Sequence, residues 1–316
     1  MRTRPPCRIG PAVNILPRDK QVEIIAALCE GVGQRAVARL SDTDRKTVAR
    51  LALAVGRGAA ELHDRMMVGL RVHRIECDEL WAYVGHKRNP QRGPARRPAP
   101  VKGDQYTYVA LAASTRAIIG YRTGKRDTAT TDDFIQDLRA RVIGAPEIST
   151  DGFHPYKNAI RDAFGGKAAH GTVTKTYSVT HLNVNEASRR YSPAQVIAVE
   201  YDAVAGVPSQ ISTSYVERQN LTLRMASKRF ARLSNGFSKK IDCHLAAISL
   251  HVAFYNLCRS HEALRMTPAM ALGIADRVWS VADLIEAALK AVPTKPTPTP
   301  AARRRQFRVI QGDLFD

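Results

Sequence analysis

Apolar positions in residues 18–56 recur at helical spacing. In "RDKQVEIIAALCEG" Val22, Ile25, Ala26 and Cys29 share a stripe, and Gly31 offers a stop. "GQRAVARL" reads as a second short helix and "SDTD" as a polar turn of N-cap residues. "RKTVARLALAV" reads as a third helix, ended by Gly56. A short helix, a tight turn and a helix with basic residues at its start make the helix-turn-helix pattern. In that reading Asp44, Arg45, Lys46, Thr47 and Arg50 face DNA.

From residue 72 the period drops to two. "HRIECDELWAYVG" sets Ile75, Cys77, Trp81 and Tyr83 on one face of a strand. "QYTYVALAAS" (105–114) and "AIIGYRTG" (117–124) predict two more strands, joined by a tight turn at Thr115-Arg116 into an antiparallel meander. "TTDDFIQDLRARV" (130–142) predicts a helix, and "PEISTDG" (146–152) a short strand ending at Asp151. "HPYKNAIRDAFGG" predicts a helix closed by Gly165. Residues 165–211 show no clear period and read as an irregular insertion. Helical segments over 214–233 and 239–257 follow. The expected organisation is an all-α module (1–60), an α/β domain with a mixed sheet and flanking helices (70–275), and a C-terminal segment (276–316). That last segment reads as a helix, a Pro/Thr-rich linker and a basic tail.

Charge narrows the function. The 316 residues carry 48 Lys and Arg against 29 Asp and Glu, a net charge of +19. That balance implies a polyanionic partner, and nucleic acid is the commonest for a basic protein. Residues 1–60 alone hold eleven basic residues against five acidic ones. The loop 86–104 between the first two strands has six Lys or Arg and four Pro. Its prolines preclude regular structure, and its charge suits phosphate contact at Lys87, Arg88, Arg96 and Arg97. No apolar run approaches 18 residues and no signal-peptide core is present, so neither a membrane span nor export is expected. The five scattered cysteines read as reduced thiols. His244, His251 and Cys258 recur at seven-residue spacing, roughly 10 Å on a helix, too far apart for one zinc. P-loop, GxSxG and HExxH signatures are missing, so no nucleotide cofactor is expected.

Three carboxylates stand at telling addresses. Asp78 lies within the first strand, where Asp is disfavoured. Asp151 ends the fourth strand, which the strand order sets beside the first. Its Asp-Gly pair also suits a plain turn. Glu217 opens a helix and is followed by Arg218, Arg224, Lys228, Arg229 and further basic residues with no acid among them. Glu217 can close a capping box with Ser214, or it can hold a metal while the basic residues hold a polyanion. Two close carboxylates repel unless a cation lies between them. Mg²⁺ takes oxygen ligands and keeps waters that substrate phosphates can replace. Two such ions about 3.5–4 Å apart activate an attacking hydroxyl and stabilise a leaving oxygen. Among rival acids, period-two geometry puts Glu79 on the face opposite Asp78. Glu76 shares the Asp78 face about 7 Å along the strand.

"IECDELWAYVGHKR", "ISTDGFHPY", "STSYVERQNLTLRM" and "FYNLCRSHEALRMTPAMALG" together resemble the DDE transposases of bacterial insertion sequences, in the first-described insertion-sequence family and its relatives. The resemblance covers roughly residues 20–285. It implies an RNase H-like core behind a helix-turn-helix module. It also implies a metal-binding catalytic triad of Asp78, Asp151 and Glu217 with two Mg²⁺ or Mn²⁺ ions. The basic helix with Arg218, Arg224, Lys228 and Arg229 would serve DNA. The implied partners are double-stranded DNA, as element ends and as target, and further copies of the chain on that DNA. The implied place is the cytoplasm of a bacterium, at the nucleoid. The alternatives are a DNA-binding regulator with an inactive or repurposed core, and a nuclease of the same fold that cuts without joining.

Overall fold

The computed structural model describes residues 16–86, 102–177, 196–231 and 234–291. Lys87, Arg88, Arg96, Arg97 and the C-terminal linker and tail lie outside the described residues.

Three helices open the described chain: α1 (Arg18–Cys29), α2 (Gln34–Leu40) and α3 (Arg45–Met66). Ile24, Val37 and Val48, one from each, meet in a small core. Asp44 is the N-cap of α3, its carboxylate accepting from the Lys46 and Thr47 backbone N–H groups at 2.8 and 3.3 Å. The expectation that Gly56 ends the third helix is corrected, since α3 runs on to Met66. A Cβ at Gly56 would lie 2.3 Å from the Ala246 carbonyl oxygen, and one at Gly58 would lie 1.9 Å from that of Ala288. Here glycine allows close helix approach. Its cost in a helix interior, about 1 kcal/mol, is offset where Val55 and Ala59 pack among Leu250, Ala253, Leu284 and Ile285.

The remaining elements are β1 (Arg74–Val84), β2 (Gly103–Ala112), β3 (Ile118–Gly124), α4 (Thr128–Arg141), β4 (Glu147–Asp151) and α5 (Pro155–Phe164). After them come β5 (Ala169–Tyr177), β6 (Val196–Ala205), α6 (Ser214–Ala226), α7 (Ile241–Leu257), α8 (Pro268–Ala271) and α9 (Val281–Ala291). The six strands form one mixed sheet in the order β3-β2-β1-β4-β5-β6. The expected meander β1–β2–β3 is present, and β4 lies parallel to β1. Gly165 caps α5 with a φ of 60°, as its position after "RDAF" predicts.

Two expectations about the second half of the chain are corrected. The stretch 165–211 contains β5 and β6, an antiparallel pair. β5 alternates threonines with residues that include the buried Gly171 and Val173, and β6 is exposed along most of its length, so neither carries the alternating large apolar residues that mark a strand. The helix expected over 214–233 ends at Ala226, followed by a single 3₁₀ turn at Lys228–Phe230.

The sheet is covered on both faces. Phe134, Ile135 and Leu138 of α4 and Tyr156, Ile160 and Phe164 of α5 pack on Ile75, Cys77, Tyr108 and Ala110. On the other face, Val216 and Leu223 of α6 and Ile248 and Val252 of α7 pack on Leu80, Val109 and Leu111. Burying each such side chain contributes about 1.5–3 kcal/mol. α7 also lies against α3 on its far side, which explains why "LAAISLHVAFYNL" is apolar all round. Among the described residues no helix is long and apolar enough to cross a membrane.

Candidate active site

The parallel ladder between β1 and β4 runs from Arg74↔Glu147 to Glu76↔Ser149 and then stops. Extending that register by two residues sets Asp78 beside Asp151. Beyond the ladder the strands no longer exchange hydrogen bonds, and acidic side chains fill the gap. Asp78, Glu79 and Asp151 each bring a carboxylate oxygen within 4.8 Å of the others, the group of possible metal ligands found among the described residues.

Each acid is held by specific partners. Asp78 accepts from the Glu79 N–H at 2.8 Å and from the Asn220 side-chain amide at 2.8 Å. Asn220 is buried on α6, three residues beyond Glu217 and on the same helix face. Asp151 accepts from the Phe153 N–H at 3.0 Å, so the Asp-Gly turn and the acidic cluster share one carboxylate. Arg126, from the loop between β3 and α4, bridges Glu79 at 3.0 Å and Asp151 at 3.1 Å while lying over the Phe153 ring. Only 3% of the Glu79 side chain is exposed, and its second oxygen, Oε1, is buried close to the equally buried Tyr156 hydroxyl.

Burial above all, with the nearby charges of Asp151 and Glu217, lifts the Asp78 carboxyl from 3.8 to about 6. Burial and the Asp151 charge lift Glu79 to about 7, against the opposing pull of Tyr156 and Arg126.

Glu217 lies outside the 4.8 Å group, although its charge is felt at Asp78. Both of its oxygens contact the Lys175 ammonium at 2.5 Å, and Oε1 also accepts from the Thr213 hydroxyl at 2.7 Å. The capping-box alternative is corrected. Thr213 is the N-cap of α6, which makes Glu217 the fourth helical residue, one too far along for that motif. The capping is done by Glu76, whose Oε2 accepts from the Tyr215 and Val216 N–H groups at 2.8 and 3.0 Å. Burial raises the Glu76 carboxyl, and those two N–H bonds work against the rise. A strand residue 139 positions earlier thus fixes the start of the helix that carries Glu217 and Asn220.

The basic residues singled out from sequence fall in several places. Arg45, Lys46 and Arg50 are exposed at the start of α3, Arg50 donating to the Thr47 hydroxyl at 3.2 Å. Arg218 and Lys228 are exposed, and Arg224 is half-buried. Arg229 turns inward to donate to the Ser238 hydroxyl at 2.7 Å, which in turn bonds the buried His244 ring.

Sequence reasoning set Glu79 aside and passed over Arg126 and Lys175. Glu79 was visible as an acid adjacent to Asp78, but strand alternation argued against it. β4 ends at Asp151, so the Asp151 carboxylate can be approached from either sheet face, and the longer Glu79 side chain reaches it. Arg126 and Lys175 carried no local signal, whereas Asn220 shares the Glu217 motif and its helix face. No protein-family model matches the chain, and no curated protein matches it.

Proposed function

We propose that this protein is a metal-dependent DNA transposase of the DDE class, with an RNase H-like core and an N-terminal helix-turn-helix module. The observation that carries the reading is the acidic cluster where two parallel strands part, with a further acid on a helix crossing that point. The donor set is all carboxylate oxygen, which suits Mg²⁺ or Mn²⁺. Three acids crowded into a largely buried cluster, two of them with raised carboxyls, fit a cation between them. In this reading Asp78, Glu79 and Asp151 would hold one ion, and Glu217 would join Asp78 in holding the second. Bound there, the ions would supply activation of the attacking hydroxyl and stabilisation of the leaving oxygen.

The chain's own residues do the positioning. Asn220 holds the Asp78 carboxylate in one orientation. Glu76 fixes α6 and with it the approach of Glu217. Arg126 and Lys175 neutralise the carboxylates in the metal-free protein. Once those carboxylates serve ions, both cations are free to donate to a phosphate. Arg45, Lys46 and Thr47, with the basic loop 86–104 and α6, would hold DNA. The reaction is hydrolysis at the element end to expose a 3′-OH, which then attacks a phosphodiester of the target DNA and displaces its 3′ oxygen.

The test is a strand-transfer assay with Mg²⁺, a labelled duplex copied from the DNA flanking the gene, and supercoiled plasmid. Wild type gives joined product, and Asp151→Ala gives none while binding the duplex normally. Cleavage without joining points to the nuclease. Binding without chemistry, in Mg²⁺ and in Mn²⁺, points to a regulator with an inactive core.

A further inference from the structure

Two cations meet the acids in different ways. Arg126 takes one oxygen from Glu79 and one from Asp151. Lys175 takes both oxygens of Glu217, at 2.5 Å each. The Thr213 hydroxyl also donates to Glu217 Oε1 at 2.7 Å, so this carboxylate is engaged on both sides.

The sheet register puts Lys175 there. Asp151 pairs with Val173 across the parallel β4–β5 ladder, which stops at that pair. Lys175 lies two residues further along β5 and so shares the Val173 side of the sheet. On that same side Asp78 accepts from Asn220 of α6. The chain entering α6 crosses this face. Gly171 leaves room for Ile211, whose Cγ1 would lie 2.5 Å from a Cβ at that glycine, and the Ser212 N–H donates to the Ser149 hydroxyl at 3.2 Å. Glu76 then fixes the first turn of α6. Lys175 and Glu217 are thus brought together from two independently anchored elements. They are 28 and 41% exposed, so ions and ligands can reach the pair.

Glu217 cannot serve Lys175 and a divalent ion alike. An ammonium offers no acceptor to a metal and repels it at contact distance. Taking Glu217 away leaves the ammonium without its counter-charge in a chain of net charge +19. The exchange is easier when another anion meets Lys175, and a phosphate oxygen is an acceptor of the right kind.

We propose that Lys175 is a built-in stand-in for the second cation: it occupies Glu217 until a DNA phosphate draws it away, and so couples binding of the second ion to binding of DNA. The inference rests on the two-ion site proposed above and adds an order of assembly to it. The coupling is reciprocal, so the second ion also tightens DNA.

The test titrates Mn²⁺ into chelator-treated full-length protein and follows free Mn²⁺ by electron paramagnetic resonance, so no reaction is read. Without DNA, Lys175→Met binds the second ion about fivefold tighter than wild type, because Glu217 no longer has to leave a partner. The first ion, held by Asp78, Glu79 and Asp151, binds both proteins alike. Lys175→Gln repeats this result. A short duplex of arbitrary sequence, corrected for the Mn²⁺ it binds alone, tightens the second ion more in wild type than in Lys175→Met and narrows the gap. Equal tightening of both ions in the variants would make Lys175 a general positive charge. An unchanged second ion would make the pair a structural contact, and a gap that the duplex leaves unchanged would remove the coupling. Each of these overturns the proposal and leaves the two-ion site standing. If neither protein takes up a second Mn²⁺, with or without the duplex, the two-ion site itself falls and the proposal falls with it.

Discussion

Asp78 shows how one side chain carries both a cost and a use. Its carboxyl holds a proton up to about pH 6 in the fold, against 3.8 as its ordinary value. Between those values the folded protein binds more protons than the unfolded chain, so this group's contribution to stability falls as pH rises through the window. Asp78→Asn removes the buried charge. It is expected to stabilise chelator-treated protein by about 2–3 kcal/mol at pH 8, a gain that shrinks by about half at pH 5. Urea denaturation at the two pH values checks this. Under the proposed function, a carboxylate that destabilises the metal-free fold is the expected trade where a metal site is built into a buried strand. An equal effect of Asp78→Asn at both pH values would mean that the carboxyl is not displaced from its ordinary range.

At the scale of elements, two close approaches carry the architecture. α6 starts where it does because Glu76, on the central strand β1, accepts its second and third N–H groups. Glu76→Ala leaves those donors buried without an acceptor and costs about 1–2 kcal/mol. Glu76→Gln keeps one acceptor oxygen and costs less, and denaturant midpoints of the two variants separate them. α3 meets α7 and α9 through Gly56 and Gly58. Gly58→Ala drives a methyl into the Ala288 carbonyl, forces α9 off α3, and is expected to cost about 3 kcal/mol despite alanine's better helix propensity. A thermal melt that rises for Gly58→Ala would show that these helices have room to part.

For the whole molecule, the governing quantity is the net charge of +19. Binding to duplex DNA is expected to weaken steeply with salt, each phosphate contact adding close to one unit of slope. Replacing Arg45 and Lys46 with alanine removes two exposed cations at the start of α3 and should flatten that slope by about two units. Filter binding across a salt series measures it, and an unchanged slope would take the α3 N-terminus out of the interface. The long α3 ties the N-terminal helices to α7 and α9, so this surface and the acidic cluster belong to one packed body.

Period and punctuation in the sequence were enough to determine the change from helices to strands near residue 72, the meander and the stop at Gly165. These features depend on which face a residue presents and on short-range backbone preferences, and both are written locally. The adjacency of β1 and β4, which sets Asp78 near Asp151, was read from the order of strands and helices along the chain. Tertiary structure alone decided that Gly56 is a contact and not a stop, that 165–211 carries two strands, and that Glu76 caps a helix 139 residues away. It also decided that Glu79 joins Asp78 from the opposite side of the strand, that Arg126 and Lys175 meet the acids, and that Asn220 orients one of them. The physical reason is common to all of these. Periodicity reports the direction of a side chain, whereas its partner is set by where separate segments come to rest when the core closes.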